Sequence, residues 1–170
     1  MAHAEQLEIL KKGAEAWNQW REENAETIPD LSQADLRGAK LQQANLKNAN
    51  LSQAKLQFVN FSKANLESAN LSKAKLQEAN LQGAQAKNVD LSGASLLEAN
   101  LYDANLENAN LQGAQFNEDV QFDRANLRGA NLISATGLTS SQITQAFSNK
   151  DTRLPEYLEE EMDDDFLLQF

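Results

Sequence analysis

The sequence has few of the residues that build catalytic and metal sites. Among its 170 residues there is no cysteine and one histidine, His3. The lack of cysteine excludes a disulfide framework, a thiolate zinc site and a cysteine nucleophile. Phosphate-binding glycine loops, nucleophile elbows and histidine–carboxylate metal spacings are missing as well. The sequence therefore predicts a protein that is not an enzyme and that binds no cofactor and no metal ion.

Aromatic side chains and long apolar runs are also scarce. Aromatic residues make up 6% of the chain, and no stretch approaches the roughly 20 apolar residues of a membrane span. Residues 1–12 carry acidic side chains and lack the apolar core of a secretory signal. We therefore expect a cytoplasmic protein that does not bind a membrane.

What the chain has instead is a period of five residues. A leucine or phenylalanine recurs at every fifth position from Leu31 to Phe116, except at Ala86, and the series resumes one residue late at Phe122. A small residue, nearly always alanine, stands two positions before each large one. In an α-helix a step of five residues turns by about 140°, so these leucines would not share a face. In a flat β-strand side chains alternate between the two faces, so residues five positions apart would not share a face either.

The pattern predicts short extended pieces joined by regular bends, which stack as a solenoid with the large and small residues inside. The core residues that we assign on this basis include Leu36, Leu46, Leu56, Phe61, Leu66, Leu76, Leu96, Leu106, Phe116, Phe122 and Leu127.

The other positions of the unit have preferences of their own. Asparagine usually precedes the large residue, where we expect it to adopt bent or left-handed backbone and to form ladders between coils. Five glycines stand two residues after the large position, where a turn residue is expected. The interval of six residues between Phe116 and Phe122 predicts a one-residue bulge within residues 117–121.

The repeated unit, Ala-Asn/Asp-Leu followed by two variable residues, resembles the pentapeptide repeat family over residues 29–136. The segment 15–21, which contains Trp17 and Trp20, is similar to cyanobacterial members. The resemblance implies a β-solenoid, a right-handed quadrilateral β-helix with four pentapeptides per coil. The 21 units from Leu31 to Leu132 then form about five coils, a rod about 25 Å long.

Both ends of such a rod need caps, because an open coil exposes its core and its backbone. For residues 1–28 we predict an α-helical cap whose apolar stripe packs on the first coil. The stripe consists of Leu7, Leu10, Trp17 and Trp20.

At the other end, residues 137–170, we predict a short helix followed by an acidic tail. Thr139 and Gln142 form a capping-box pattern, which places Ile143, Ala146 and Phe147 on one helix face. The acidic run 159–165 is expected to be solvated and disordered.

The net charge of −10 belongs to the two ends of the chain. Residues 1–30 hold seven acidic and three basic side chains, residues 135–170 hold eight and two, and the repeats 31–134 hold ten of each. Within the repeats, residues 31–90 are basic and residues 91–134 are acidic, which could orient an acidic partner along the first coils. We expect no nucleic acid partner, because the chain as a whole repels phosphate.

A rod without a pocket must act through its walls, so apolar residues at outward positions are candidates for interaction. With four units per coil, Phe58 and Leu97 lie on one side of the rod, two coils apart, and Tyr102 lies on the next side. The end of the chain supplies a second apolar set. The candidate interaction residues are therefore Phe58, Leu97, Tyr102, Phe166, Leu167, Leu168 and Phe170.

These observations favour a non-enzymatic protein–protein interaction module, an adaptor or scaffold with an unidentified protein partner. Two alternatives stay open. The resemblance allows a DNA-mimicking regulator of DNA gyrase, although the neutral rod counts against it. The apolar end of the chain allows a self-associating structural protein, a homodimer through the C-terminal end.

Overall fold

A computed structural model describes residues 2–162 and shows the repeats as stacked coils. Parallel bridges join residues 20 positions apart, such as Asp30 with Asn50 and Asp35 with Lys55, so four pentapeptides complete one coil. Within the described residues these are isolated bridges, and no longer β-strand occurs. Each side of the coil is therefore held by a single bridge residue and its neighbours.

Each pentapeptide bends through a turn that begins at the large residue. The Ala44 N–H donates to the Leu41 C=O at 3.1 Å, and the same bond recurs along the rod. The residue two positions after the large one has a φ between 55° and 69° in every unit except the bulged one. A positive φ at the third turn residue with an i to i+3 hydrogen bond is the signature of a type II turn.

The turn explains the glycines and corrects one expectation for asparagine. Gly83, at φ 63°, occupies the left-handed position, where the lack of a Cβ removes the steric cost. The asparagines before the large residues are not left-handed, because they occupy the bridge position instead. Their side chains support the next turn, as the Asn70 Oδ1 accepts the Ser72 N–H at 2.9 Å. Ladders between coils occur too, from Asn126 Nδ2 to Asn105 Oδ1 at 3.2 Å.

The core is a continuous column of inward side chains. The core residues assigned from the sequence are each at most 4% exposed. Ala86, the one small residue at a large position, is fully buried, and Val89 stands in the following small position. The larger Val89 therefore fills part of the volume that Ala86 leaves.

The bulge prediction is confirmed. The bridge spacing is 20 residues from Ser95 to Gln115 and becomes 21 residues from Asn100 to Gln121. The extra residue places Val120, which is 3% exposed, in the small inward position.

The N-terminal segment forms two helices rather than one continuous helix. Helix α1 spans Ala4–Lys11 and helix α2 spans Ala14–Glu23, separated by Gly13 with a φ of 111°. Leu10 and Trp17 are buried, whereas Leu7 and Trp20 are half-buried against the core.

Two further helices follow the repeats, α3 at Ser140–Gln145 and α4 at Glu156–Glu161. The capping box of Thr139 and Gln142 is present. Ile143 and Ala146 are buried, but the expectation for Phe147 is wrong: its side chain is 49% exposed. Helix α3 ends before Phe147, which forms a bridge with Asn126 and so prolongs the ladder past residue 136.

The described part of the acidic run is exposed, as expected, but it is helical. Its first three residues, 159–161, belong to α4, whose Leu158 is fully buried. The rest of the run and the candidate residues Phe166, Leu167, Leu168 and Phe170 lie outside the described residues. No helix within residues 2–162 is long and apolar enough to cross a membrane.

The cap suggests a first test. Trp17 is fully buried and its Nε1 donates to the Asn45 C=O at 2.8 Å. The substitution Trp17→Ala should lower the free energy of unfolding by about 3–5 kcal/mol. Trp20→Ala should lower it less, because Trp20 is half-buried. Urea unfolding followed by circular dichroism measures both, and equal losses would contradict this role of Trp17.

Candidate interaction surface

One side of the rod carries two of the unusual outward residues, Phe58 and Leu97, and we call it the Phe58 side. It consists of the units 36–40, 56–60, 76–80 and 96–100 and the bulged unit 116–121. The Phe58 N–H donates to the Gln77 C=O at 3.0 Å, and the Glu78 N–H donates to the Leu97 C=O at 2.9 Å. Phe58, Glu78 and Glu98 therefore stack in successive coils, about 4.8 Å apart.

Phe58 suits neither the core nor the turn. Its side chain is 58% exposed, and its φ is 61°. A left-handed backbone costs a residue with a Cβ about 1–2 kcal/mol. The other units have glycine or a polar residue at this position. The fold therefore gains little from phenylalanine here.

Two side-chain acceptors on the same side lack partners. The Oε1 atoms of Gln57 and Gln77 are buried and accept no hydrogen bond from any described residue. The Gln77 amide is held on its other atom, since Nε2 donates to Ser95 Oγ at 2.9 Å. An unsatisfied buried polar group costs about 1–3 kcal/mol. The Phe58 side therefore has two unsatisfied hydrogen-bond acceptors close to the exposed aromatic ring.

The structure brings together only part of the candidate set. Leu97 lies on the Phe58 side and Tyr102 on the next side, where the Gly83 N–H donates to the Tyr102 C=O at 2.9 Å. Both side chains are half-buried. The periodic pattern gives no signal for three other exposed apolar side chains, because they lie outside the repeats: Ile28, Phe147 and Tyr157.

Ion pairs between coils occur on the opposite side of the rod but not on the Phe58 side. Lys47 pairs with Glu67 at 2.9 Å, and Lys87 pairs with Glu107 at 2.9 Å, in an alternating column. On the Phe58 side, Glu78, Glu98 and Glu118 form no ion pair within residues 2–162. That side is basic at its first unit and acidic in its later units.

The first unit of the Phe58 side is organised by an arginine. Arg37 Nη2 donates to Asp35 Oδ2 at 2.7 Å and Arg37 Nε donates to Asp35 Oδ1 at 2.8 Å. Hydrogen bonds from the Arg37 side chain lower the pKa of Asp35 to about 2, and the more distant Lys55 adds to the shift. The Asp35 carboxylate therefore stays ionised, and its charge is paired with that of Arg37.

No metal site is evident in the described part of the chain, where no group of three or more histidine, aspartate or glutamate residues could hold an ion.

Comparison with known proteins identifies the family. The family model for pentapeptide repeats matches eight copies, over residues 30–67, 54–93 and 87–118, which together cover more than half of the chain. The chain belongs to the pentapeptide repeat family. Its four units per coil agree with the family fold, the right-handed quadrilateral β-helix. No curated protein sequence matches the chain.

Solved structures of similar proteins include some from cyanobacteria and one from a plant. HetL of Nostoc sp. strain PCC 7120, involved in heterocyst differentiation regulation, is 28% identical with a TM-score of 0.63. The alignment covers 72% of this chain and 56% of HetL, so the chain spans little more than half of that protein. A thylakoid-lumen protein of Arabidopsis thaliana is 33% identical over 68% of this chain and 72% of its own, with a TM-score of 0.43. A Cyanothece 51142 protein is 30% identical over 81% and 97%, with a TM-score of 0.32.

The Asp35–Arg37 pair generates a pH prediction. The pKa of Asp35 is about 2 in the folded chain and about 3.9 in an unfolded one. The stabilisation from this group is therefore complete above pH ~4 and is lost as the pH falls through about 2. The substitution Arg37→Gln should return the pKa towards 3.9, as measured by carboxyl carbon NMR titration. Lys55→Gln is the matched control and should move the midpoint less.

Proposed function

We propose that the chain is a non-enzymatic protein–protein interaction module, an adaptor or scaffold that presents binding residues on a rigid rod. Proteins of this family are typically structural or interaction modules. The rod has about five coils, with helices α1 and α2 at one end and α3 and α4 at the other. Such a support holds outward side chains in fixed register, which reduces the entropy lost when a partner binds.

The exposed ring of Phe58 is the observation that carries this proposal. Aromatic anchors contribute much of the binding energy at protein interfaces. Phe58 projects from a backbone position that disfavours a residue with a Cβ, on the same side of the rod as the half-buried Leu97. A partner that covers the ring would remove its apolar surface from water. The same partner would supply donors to the Gln57 and Gln77 amides once these turn outward.

The alternatives have less support from the described residues. A DNA mimic needs an acidic rod, whereas the repeats hold equal numbers of acidic and basic side chains. Lys63 and Lys73 stand exposed on it. Self-association through the C-terminal end depends on residues beyond 162. A cytoplasmic location stays a prediction.

The proposal predicts that stability and binding separate at Phe58. Asparagine tolerates a left-handed backbone, so Phe58→Asn should keep or raise the free energy of unfolding, by up to about 1 kcal/mol. The same change should remove the captured partner when the variant serves as bait in a lysate of the source organism. Quantitative mass spectrometry of the captured proteins and urea unfolding provide the two readouts.

Two controls make the result specific. Gln53→Asn changes the equivalent left-handed position on a different side and should leave capture intact. A bait ending at residue 162 keeps the buried Leu158 and tests the end of the chain. Capture that survives Phe58→Asn but fails with the shortened bait would assign binding to the tail and refute the role of Phe58.

A further inference from the structure

The first coil has an edge that later coils do not have. In a later coil, the bridge residue bonds to the coil before it: the Lys55 N–H donates to the Ala34 C=O at 2.9 Å, and the Lys55 C=O accepts the Leu36 N–H at 2.9 Å. The first coil has no coil before it. Its equivalent N–H and C=O groups must find other partners or remain an open edge.

The N-terminal segment covers three sides of this edge. On one side the Ala2 N–H donates to the Ser32 C=O at 2.9 Å. On a second side Asn18 Oδ1 accepts the Asn45 N–H at 2.7 Å, while Trp17 donates to the Asn45 C=O. On a third side Arg21 Nη2 donates to the Lys47 C=O at 3.3 Å. These contacts replace the missing coil.

The fourth side of the first coil is the first unit of the Phe58 side, and the N-terminal segment leaves it uncovered. Neither the N–H nor the C=O of Asp35 and Lys40 has a hydrogen-bond partner within residues 2–162, and the C=O of Arg37 has none either. Ala39 is the one inward small residue of the rod that is only partly buried. We call this stretch the 35–40 edge. An open cleft of about 570 Å³ lies between it and the α1–α2 junction.

The cleft has a basic rim and an apolar floor. Its cations are Lys11, Lys12, Arg37 and Lys40. Lys11 is paired with Glu8 at 3.0 Å and Arg37 with Asp35. Lys12 and Lys40 form no ion pair with any residue of the described range 2–162. The floor is formed by the partly buried Ala39, with Leu10, Leu36 and Leu41 at most 3% exposed beneath it.

We propose that the 35–40 edge is the docking site for an extended acidic segment of a partner protein, which pairs with the first coil as a further layer. The inference rests on the proposed interaction function and names its partner chemistry. Open edges bind extended peptides by adding main-chain hydrogen bonds, and alternate side chains give specificity. Here the partner donates to the Lys40 C=O and accepts from the Lys40 N–H, as the coils do among themselves.

The charges and the neighbouring ring select the occupant. Carboxylates of the segment face Lys12 and Lys40, and apolar side chains between them pack against Ala39 on the floor of the cleft. Phe58 lies one coil away, because the Gly38 N–H donates to the Gln57 C=O at 2.9 Å. A single partner therefore contacts the edge and the aromatic ring together.

A peptide titration tests the charge requirement. The probe is a fluorescein-labelled octapeptide of alternating glutamate and valine, and the readout is fluorescence anisotropy. Lys12→Glu with Lys40→Glu should weaken binding by at least about tenfold. Lys63→Glu with Lys73→Glu changes the net charge equally elsewhere on the rod and should weaken it by less than about threefold. Equal weakening by the two double variants would indicate bulk attraction and overturn the site.

Amide hydrogen exchange tests the edge itself. In the free protein the N–H groups of Asp35 and Lys40 should exchange fast, and those of Lys55 and Asn60 slowly, because only the latter are bonded. The peptide should protect Asp35 and Lys40, whereas the same peptide with N-methylated backbone should not bind. Binding without this protection would overturn edge pairing.

The outcomes also separate this inference from the proposed function. If the peptide fails to bind while Phe58→Asn still removes the captured partner, the interaction function stands and the edge site is refuted. If the untagged protein self-associates in sedimentation runs and Lys12→Glu with Lys40→Glu abolishes this, the occupant is a second copy, and the inference of a foreign acidic segment is wrong.

Discussion

The whole structure depends on hydrogen bonds that one coil can satisfy only through the next. A pentapeptide of this chain has no internal partner for most of its backbone groups, apart from the turn bond such as that from Ala44 to Leu41. Each coil therefore serves as the template for its neighbour, and nearest-neighbour contacts carry the stability. The left-handed turn residue follows from the same constraint, because it closes each side within five residues. Ordinary residues accept this backbone in most units because stacking outweighs the local strain.

This dependence divides the residues of each unit into two sets. The large and small positions are fixed by stacking and are nearly always leucine or phenylalanine and alanine, whereas the bridge position is polar and most often asparagine. Stacking does not determine the residues at the outward positions, so an unusual residue there indicates a role in binding. The alternating Lys47, Glu67, Lys87 and Glu107 column shows how outward charges can be paired between coils. On the Phe58 side such pairing is missing, and an aromatic ring stands where polar residues or glycine would suit the turn better.

Much of the rod could be predicted from the sequence, since a strict period fixes the environment of every fifth residue. The six-residue interval likewise announced the bulge at residues 117–121. Other features depend on contacts that periodicity does not encode. One such feature is the break between α1 and α2 at Gly13. Another is Phe147, which was predicted on a helix face but forms a bridge with Asn126 instead. The unsatisfied amides of Gln57 and Gln77 and the open 35–40 edge arise from tertiary geometry, so the sequence pattern held no signal for them.

The lysines at the open edge allow it to bind a partner without promoting aggregation. An unpaired edge is a template for aggregation, and proteins commonly protect such edges with lysine. Two copies of this chain that met edge to edge would bring their Lys12 and Lys40 ammonium groups together, and this repulsion opposes self-pairing. An acidic segment is attracted by the same ammonium groups, so it can form the main-chain hydrogen bonds that charge repulsion prevents a second copy from forming. One set of charges thus acts against the wrong partner and for the right one, which is how specificity arises from a difference between two affinities.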